Sequence, residues 1–181
     1  MLEIIIPETE LWDHSEEEFY YTKKTKLKLE HSLISLSKWE TKWQKPFLSK
    51  DKKTREETID YIKCMTITQN VQPEVFNAID NKIMTEINKY IDNPMTATTF
   101  SNKDGGKKNR KIVTSEVIYY WLTALNIPFE CQKWHLNRLL TLVNVCNIKS
   151  QPNKKKMSRR EILTKNRELN AKRRKALGTK G

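Results

Sequence analysis

The chain has 181 residues, of which 37% are apolar and 31% charged, and it carries a net charge of +12. This length suffices for one globular domain and a tail. Its four glycines are too few for a glycine-rich phosphate-binding loop and disfavour an all-β fold. No apolar run approaches the roughly 20 residues of a membrane helix, so no membrane partner is expected.

The positive charge is concentrated near the C-terminus. Residues 1–100 sum to −3, residues 101–148 to +4 and residues 149–181 to +11. The isoelectric point near 9.6 therefore says little about the partners of the nearly neutral body. We expect a mainly helical body over residues 1–150, followed over residues 151–181 by a basic tail that is partly helical and partly disordered until it meets a partner.

The N-terminus predicts a small pair of strands. The apolar run Leu2–Ile6 is typical of a strand that Pro7 ends, because proline has no amide hydrogen to donate. Residues 19–29 predict a second strand, in which Leu27 and Leu29 alternate with lysines. Together they indicate a hairpin or a meander.

Helical spacing replaces this alternation after residue 30. Apolar residues from 33 to 43 recur at intervals of three and four, which predicts an amphipathic helix. The segment Thr54–Glu57 has the pattern of a capping box and starts the next helix. Pro73 suits the first position of a short helix, and Asp80 can cap a further one.

A β-hairpin is predicted next. Threonine-rich residues 95–100 predict a strand and residues 104–106 are a turn signal, so the hairpin spans residues 95–114 with a long basic tip. Apolar residues at helical spacing then predict helices from about 115 to 125 and from 129 to 148. The predicted fold class is α+β, mainly α.

The sequence contains no motif that predicts catalysis. The opening segment is short and acidic, unlike a signal peptide, and the three cysteines are typical of free thiols in a reducing cytoplasm. Cys131 and His135 would share one helical face, and Cys64 or Cys146 would add a third zinc ligand. No second short-spaced ligand pair accompanies them, so packing is the favoured interpretation, and neither a metal nor a cofactor is expected.

Two groups of residues are candidates for partner binding. Four tryptophans are favoured as core residues but would otherwise line a groove for an amphipathic helix. They are Trp39, Trp43, Trp121 and Trp134. The basic tail fits the phosphate backbone of a nucleic acid or, as the favoured interpretation, an acidic protein surface or no partner. Its clusters are Lys154, Lys155, Lys156, Arg159, Arg160, Lys172, Arg173, Arg174 and Lys175.

Four segments of the chain resemble structural-module proteins from tailed phages (siphophages) of Gram-positive bacteria. They are Leu29–Glu40, Asp60–Met65, Ile127–Leu140 and the ending Asn166–Arg174. The resemblance extends over nearly the whole chain, and within that group it is to the tail assembly chaperones. Those chaperones are usually mainly helical and often acidic, whereas this sequence adds strands and a basic tail.

The resemblance implies a non-enzymatic protein that works in the bacterial host cytoplasm during phage assembly. Such chaperones bind the long, helical tape measure protein and help tail tube subunits to polymerise around it, and they leave before the virion is complete. One alternative is a phage nucleic-acid-binding or DNA-packaging accessory protein that uses the basic tail. The other is a minor virion component of the tail or the connector.

Overall fold

The computed structural model describes residues 1–13, 17–100, 112–150 and 158–178. Helices dominate these residues, and short antiparallel strands precede them, so the predicted α+β, mainly α fold is confirmed. The chain divides into two compact units, Met1–Asn147 and Ile148–Gly181, which we refer to as the body unit and the tail unit.

The strands form one antiparallel ribbon with an interruption. They are β1 (Leu2–Ile6), β2 (Thr9–Asp13), β3 (Glu18–Thr22) and β4 (Thr25–Leu29). β1 pairs with β4 and β2 pairs with β3, and the register continues from one pair to the other, because Ile6 faces Thr25 and Thr9 faces Thr22. Pro7 lies in the gap between the pairs, where it lacks the amide hydrogen that a continuous ladder needs.

The predicted strand at residues 2–6 is confirmed, and the predicted strand at residues 19–29 divides into β3 and β4. β2 was not predicted from the sequence. Its residues pair directly with β3, so the acidic segment after Pro7 returns the chain along a hairpin that the sequence pattern did not indicate.

Three helices of the body unit begin at side-chain caps. They are α1 (Leu33–Trp43), α2 (Arg55–Met65) and α3 (Asn81–Asp92). The predicted capping box of α2 is confirmed, because the Thr54 hydroxyl accepts the Glu57 amide at 3.1 Å and the Glu57 carboxylate accepts the Thr54 amide at 2.8 Å. Asp80 caps α3, as predicted. The short helix at Pro73 is a 3-10 helix, Pro73–Ala78.

The predicted helix at residues 129–148 is wrong in its first turns. A second 3-10 helix, Phe129–Lys133, comes first, and the α-helix α5 runs over Leu136–Ser150. Trp134 between them is extended, and the amide of Leu136 donates to the carbonyl of His31 at 2.7 Å. The break therefore joins the start of α5 to the segment before α1. The preceding helix α4 (Ser115–Ala124) is confirmed.

The predicted β-hairpin at residues 95–114 is contradicted in its first strand. Residues 95–100 and 112–114 are irregular, and residues 101–111 lie outside the described residues. The Asn93 side chain accepts the Met95 amide, and the Thr96 hydroxyl accepts the Thr98 amide. Such local hydrogen bonds compete with strand pairing, which is why asparagine and threonine at these spacings favour a turn.

Two hydrophobic clusters fill the body unit. The first lies between β1, β4 and the helices α1 to α3, and its largest fully buried side chain is Trp39. The second lies between α1, α4 and α5 and includes Leu36, Leu122 and Leu139. Helix α1 contributes to both clusters, so it is the element around which the body unit packs.

A pair of buried histidines lies beside these clusters. His31 is 2% exposed and His135 is 6% exposed, and their ring centroids are 5.1 Å apart. His135 donates from Nε2 to the Tyr90 carbonyl at 3.0 Å and accepts the Asn137 amide at Nδ1. Both nitrogens of this ring are thus engaged in the neutral tautomer, and a second proton would break the bond to Asn137.

Burial and the neighbouring His135 lower the pKa of His31 from 6.5 to about 3, and burial also lowers the pKa of His135. The unfolded chain binds these protons near pH 6.5, so it is favoured as the pH falls. The full stability contribution is present above pH 6.5 and is lost progressively below it. We expect the free energy of unfolding to fall by about 2–3 kcal/mol between pH 7.5 and pH 4.5.

Urea denaturation at these two pH values measures this loss. The variant His31→Asn is the control, because its side chain does not titrate in this range, so it should lose less stability as the pH falls and keep only the contribution of His135. A wild-type midpoint that stays constant from pH 7.5 to pH 5 would contradict the prediction.

Candidate partner-binding surfaces

Trp39 is not available to a partner. It is 1% exposed, its Nε1 donates to the Glu57 carbonyl at 2.8 Å, and its ring stacks on Trp43 with centroids 6.2 Å apart. The proposal that this residue lines a binding groove is therefore wrong. Its spacing along α1 directs it into the first cluster, as the core interpretation of the tryptophans requires.

Trp43 lies half-buried at the C-terminal end of α1. Its Nε1 donates to the Asp60 carboxylate at 2.9 Å, and the ammonium of Lys45 lies 5.8 Å from its ring centroid. Lys42 forms an ion pair with the same Asp60, and that hydrogen bond raises the pKa of Lys42. The surface around Trp43 is thus covered by lysine and aspartate side chains that pair with each other and with the indole. Less of the Trp43 ring is therefore accessible to a partner.

Trp121 and Trp134 both pack against the second hydrophobic cluster and are half-buried. The guanidinium of Arg138, near the start of α5, lies 4.1 Å from the centroid of the Trp134 ring, which precedes that helix. The two side chains form a cation–π contact. Trp39 and Trp43 belong instead to the first cluster. The structure therefore does not bring the four tryptophans together into one groove.

A different aromatic surface is exposed on the outer part of the ribbon. Along β2 and β3, the side chains of Glu10, Trp12, Phe19 and Tyr21 alternate to one face, which we call the ribbon face. Tyr21 is 68% exposed, Phe19 is 62% exposed and Trp12 is 43% exposed. Large exposed aromatic groups in a row are typical of interaction surfaces.

Contacts on both faces of the ribbon hold these side chains in place. Trp12 faces Phe19 across the strands, with ring centroids 4.7 Å apart in an edge-to-face arrangement. On the opposite face, the Tyr20 hydroxyl accepts the Asn77 amide at 3.2 Å, so the ribbon packs on the 3-10 helix Pro73–Ala78. One face is thereby anchored to the body unit, and the other presents its aromatic rings to solvent.

Sequence reasoning missed the ribbon face. Trp12 was not assigned to a strand, because β2 was not predicted, and Phe19 was assigned only to the predicted strand at residues 19–29. The signal that could have identified it is the spacing of two residues in two successive segments. Read as the strands of one hairpin, this spacing places Glu10 and Trp12 on the same face as Phe19 and Tyr21.

The tail unit contains the helix α6, Arg159–Leu177. The Ser158 hydroxyl accepts the Glu161 amide at 3.3 Å, and the Glu161 carboxylate accepts the Ser158 amide at 2.7 Å, so a capping box starts this helix. Gly178 ends the helix at a positive φ of 65°, where a side chain would be strained. None of the residues of α6 is buried within the structure.

Helix α6 has eight basic and two acidic residues, a net charge of +6. It carries the predicted basic positions Arg159, Arg160, Lys172, Arg173, Arg174 and Lys175. Its apolar residues are also exposed, from Leu169 at 44% to Leu177 at 75%. The remaining predicted positions, Lys154, Lys155 and Lys156, lie outside the described residues.

The cysteine and histidine residues considered for zinc are separated by the local structure. Cys131 lies in the second 3-10 helix and His135 follows the extended Trp134, so they do not share a helical face. Burial raises the pKa of the Cys131 thiol. Among the described residues, no group of three or more histidine, cysteine or acidic side chains is arranged to hold a metal ion.

Within the described ranges, every helix is too short or too polar to span a lipid bilayer. No protein family, no curated protein and no solved structure matches this chain.

Proposed function

We propose that this chain is a non-enzymatic phage tail assembly chaperone, which binds the tape measure protein and tail tube subunits in the host cytoplasm during tail morphogenesis. Two independent lines support the proposal. One is the resemblance of segments such as Leu29–Glu40 and Ile127–Leu140 to proteins of that group. The other is the exposed ribbon face, the observation that carries the binding function.

The ribbon face has the chemistry of a client-binding surface. Trp12, Phe19 and Tyr21 are aromatic residues of the type that contributes most binding energy at protein interfaces. Covering them removes apolar surface from water, which favours binding by about 25 cal/mol per Å². The side chains are already ordered by the ribbon, so less conformational entropy is lost on binding than for a flexible loop.

The size of this surface also suits a transient partner. The two strands have five residues each and therefore extend over about 17 Å. A surface of that length buries less area than a permanent complex does, and small interfaces are typical of reversible association. Reversibility is what a chaperone needs if it is to leave before the virion is complete.

Co-expression with the tape measure protein and tube subunit of the same phage tests the proposal. We expect the clients to remain soluble and to co-purify with the wild-type chain. The double variant Trp12→Ser, Phe19→Ser is expected to lower client recovery at least tenfold, because each truncated aromatic contact costs about 1–2 kcal/mol. Recovery is measured by quantitative mass spectrometry of the purified complex.

Tyr120→Ser is the matched control. Tyr120 is 68% exposed on α4, so its removal changes an equally exposed aromatic residue away from the ribbon. Circular dichroism of both variants checks that the fold is retained. If the tape measure protein stays soluble without this chain and does not co-purify with it, the proposal is wrong.

A second candidate function is favoured by one observation, the exposed charge of +6 on α6. A helix of 19 residues extends over about 28 Å and can follow a phosphate backbone. A DNA-packaging or other nucleic-acid-binding role would appear in the same purification as duplex DNA that salt removes. The presence of the chain in purified virions would instead favour a minor tail or connector component.

A further inference from the structure

The ribbon face combines exposed aromatic rings with an acidic surrounding. Residues 8–18 contain six acidic residues and no lysine or arginine. The described side chains Glu8, Glu10, Glu17 and Glu18 are exposed, and none of them forms an ion pair with a described basic residue. The outer ribbon is therefore a locally negative surface on a chain whose net charge is +12.

One of these carboxylates, that of Glu10, lies on the ribbon face beside the aromatic rings. Glu10 faces Tyr21 across the strands, and its carboxylate, as hydrogen-bond acceptor and nearby charge, raises the pKa of the Tyr21 hydroxyl. Glu18 directly precedes Phe19 on β3, so its side chain lies on the opposite face of the ribbon. Carboxylates and the faces of aromatic rings both attract ammonium and guanidinium groups. Negative charge at the same place repels nucleic acids and anionic lipids.

We propose that the ribbon face binds a positively charged amphipathic helix of a partner protein, about three turns long. This inference rests on the proposed function and gives the chemistry of the client segment. The apolar stripe of that helix packs on Trp12 and Phe19, and its lysine or arginine side chains reach Glu10 and the edge of Tyr21. A helix of about 11 residues matches the roughly 17 Å length of the two strands.

Two synthetic peptides test this inference with the full-length chain. One has a leucine stripe at helical spacing flanked by lysines, and the other carries glutamate in place of every lysine. Both are labelled with fluorescein and titrated by fluorescence anisotropy. We expect the lysine peptide to bind at least tenfold more tightly, although the net charge of the chain as a whole repels it.

Variants of the chain locate the binding. Trp12→Ser with Phe19→Ser is expected to abolish binding of the lysine peptide. Glu10→Gln is expected to weaken it about threefold and to reduce its salt dependence. The charge control is Glu86→Gln, which removes one exposed carboxylate on α3 and should leave the affinity unchanged.

Equal affinity for the two peptides overturns the inference, and so does unchanged binding by the Trp12→Ser, Phe19→Ser variant. The co-expression experiment separates this result from the proposed function. Clients that co-purify equally with the wild type and with the Glu10→Gln variant leave the chaperone proposal standing and contradict the charge selectivity. Selective binding of the lysine peptide without recovery of the clients supports the charge selectivity and contradicts the chaperone proposal.

Discussion

Replacing Trp39 by alanine is expected to lower the free energy of unfolding by about 4 kcal/mol. The side chain is 1% exposed and packs against Trp43 and Phe47, with the Phe47 ring centroid 5.0 Å away. Alanine leaves a cavity at the centre of the first cluster. It also removes the hydrogen bond that the Trp39 indole donates to the Glu57 carbonyl. Urea denaturation at pH 7.5 measures the change.

Trp43→Ala is the control for this experiment. Trp43 is on the same helix but half-buried, and its loss opens a site that water can fill. We expect a decrease in the free energy of unfolding of about 1–2 kcal/mol, from lost packing and the lost bond to Asp60. Similar decreases for the two variants would show that Trp39 is not the centre of the cluster.

Glu40→Ala is expected to lower the free energy of unfolding by about 3 kcal/mol. The Glu40 side chain is 7% exposed, and its carboxylate joins two parts of the body unit. Oε1 accepts the Phe47 amide at 2.8 Å, and Oε2 accepts the Ser115 amide at 2.7 Å. Thr114, at the N-cap of α4, makes no side-chain capping bond, so Glu40 supplies that acceptor from a distant helix.

Thermal and urea denaturation measure this change, and hydrogen exchange at the Ser115 amide locates it. Glu40→Gln keeps one acceptor oxygen and is expected to lose about half as much stability. Glu86→Ala removes an exposed carboxylate from α3 and should change the stability by less than about 0.5 kcal/mol. A loss below about 1 kcal/mol for Glu40→Ala would falsify the assignment of this carboxylate as the cap of α4.

Local signals were sufficient where a few neighbouring residues decide the outcome. The capping boxes at Thr54 and Ser158 depend on contacts three residues apart, so the starts of α2 and α6 could be predicted. The amphipathic spacing of α1 had the same predictive value, because a helix with one apolar stripe has few other ways to bury it.

Contacts with other segments decided two of the regions where prediction was wrong, and local side-chain hydrogen bonds decided the third. The helix predicted from residue 129 is broken because Leu136 donates to His31, more than 100 positions earlier in the chain. The strand predicted at residues 95–100 is replaced by turns that Asn93 and Thr96 stabilise locally. β2 exists because β3 pairs with it. The secondary-structure propensity of a segment does not indicate which other segment it will contact in the fold.

For this protein, the sequence by itself determined the mainly helical α+β class, the starts of the helices that begin at side-chain caps and the concentration of basic charge in the tail, because composition and capping are properties of the chain and its near neighbours. Only the tertiary structure decided which aromatic residues are accessible. It buries Trp39 and exposes Trp12 and Phe19, because burial depends on which elements pack against each face. The candidate site follows from that difference.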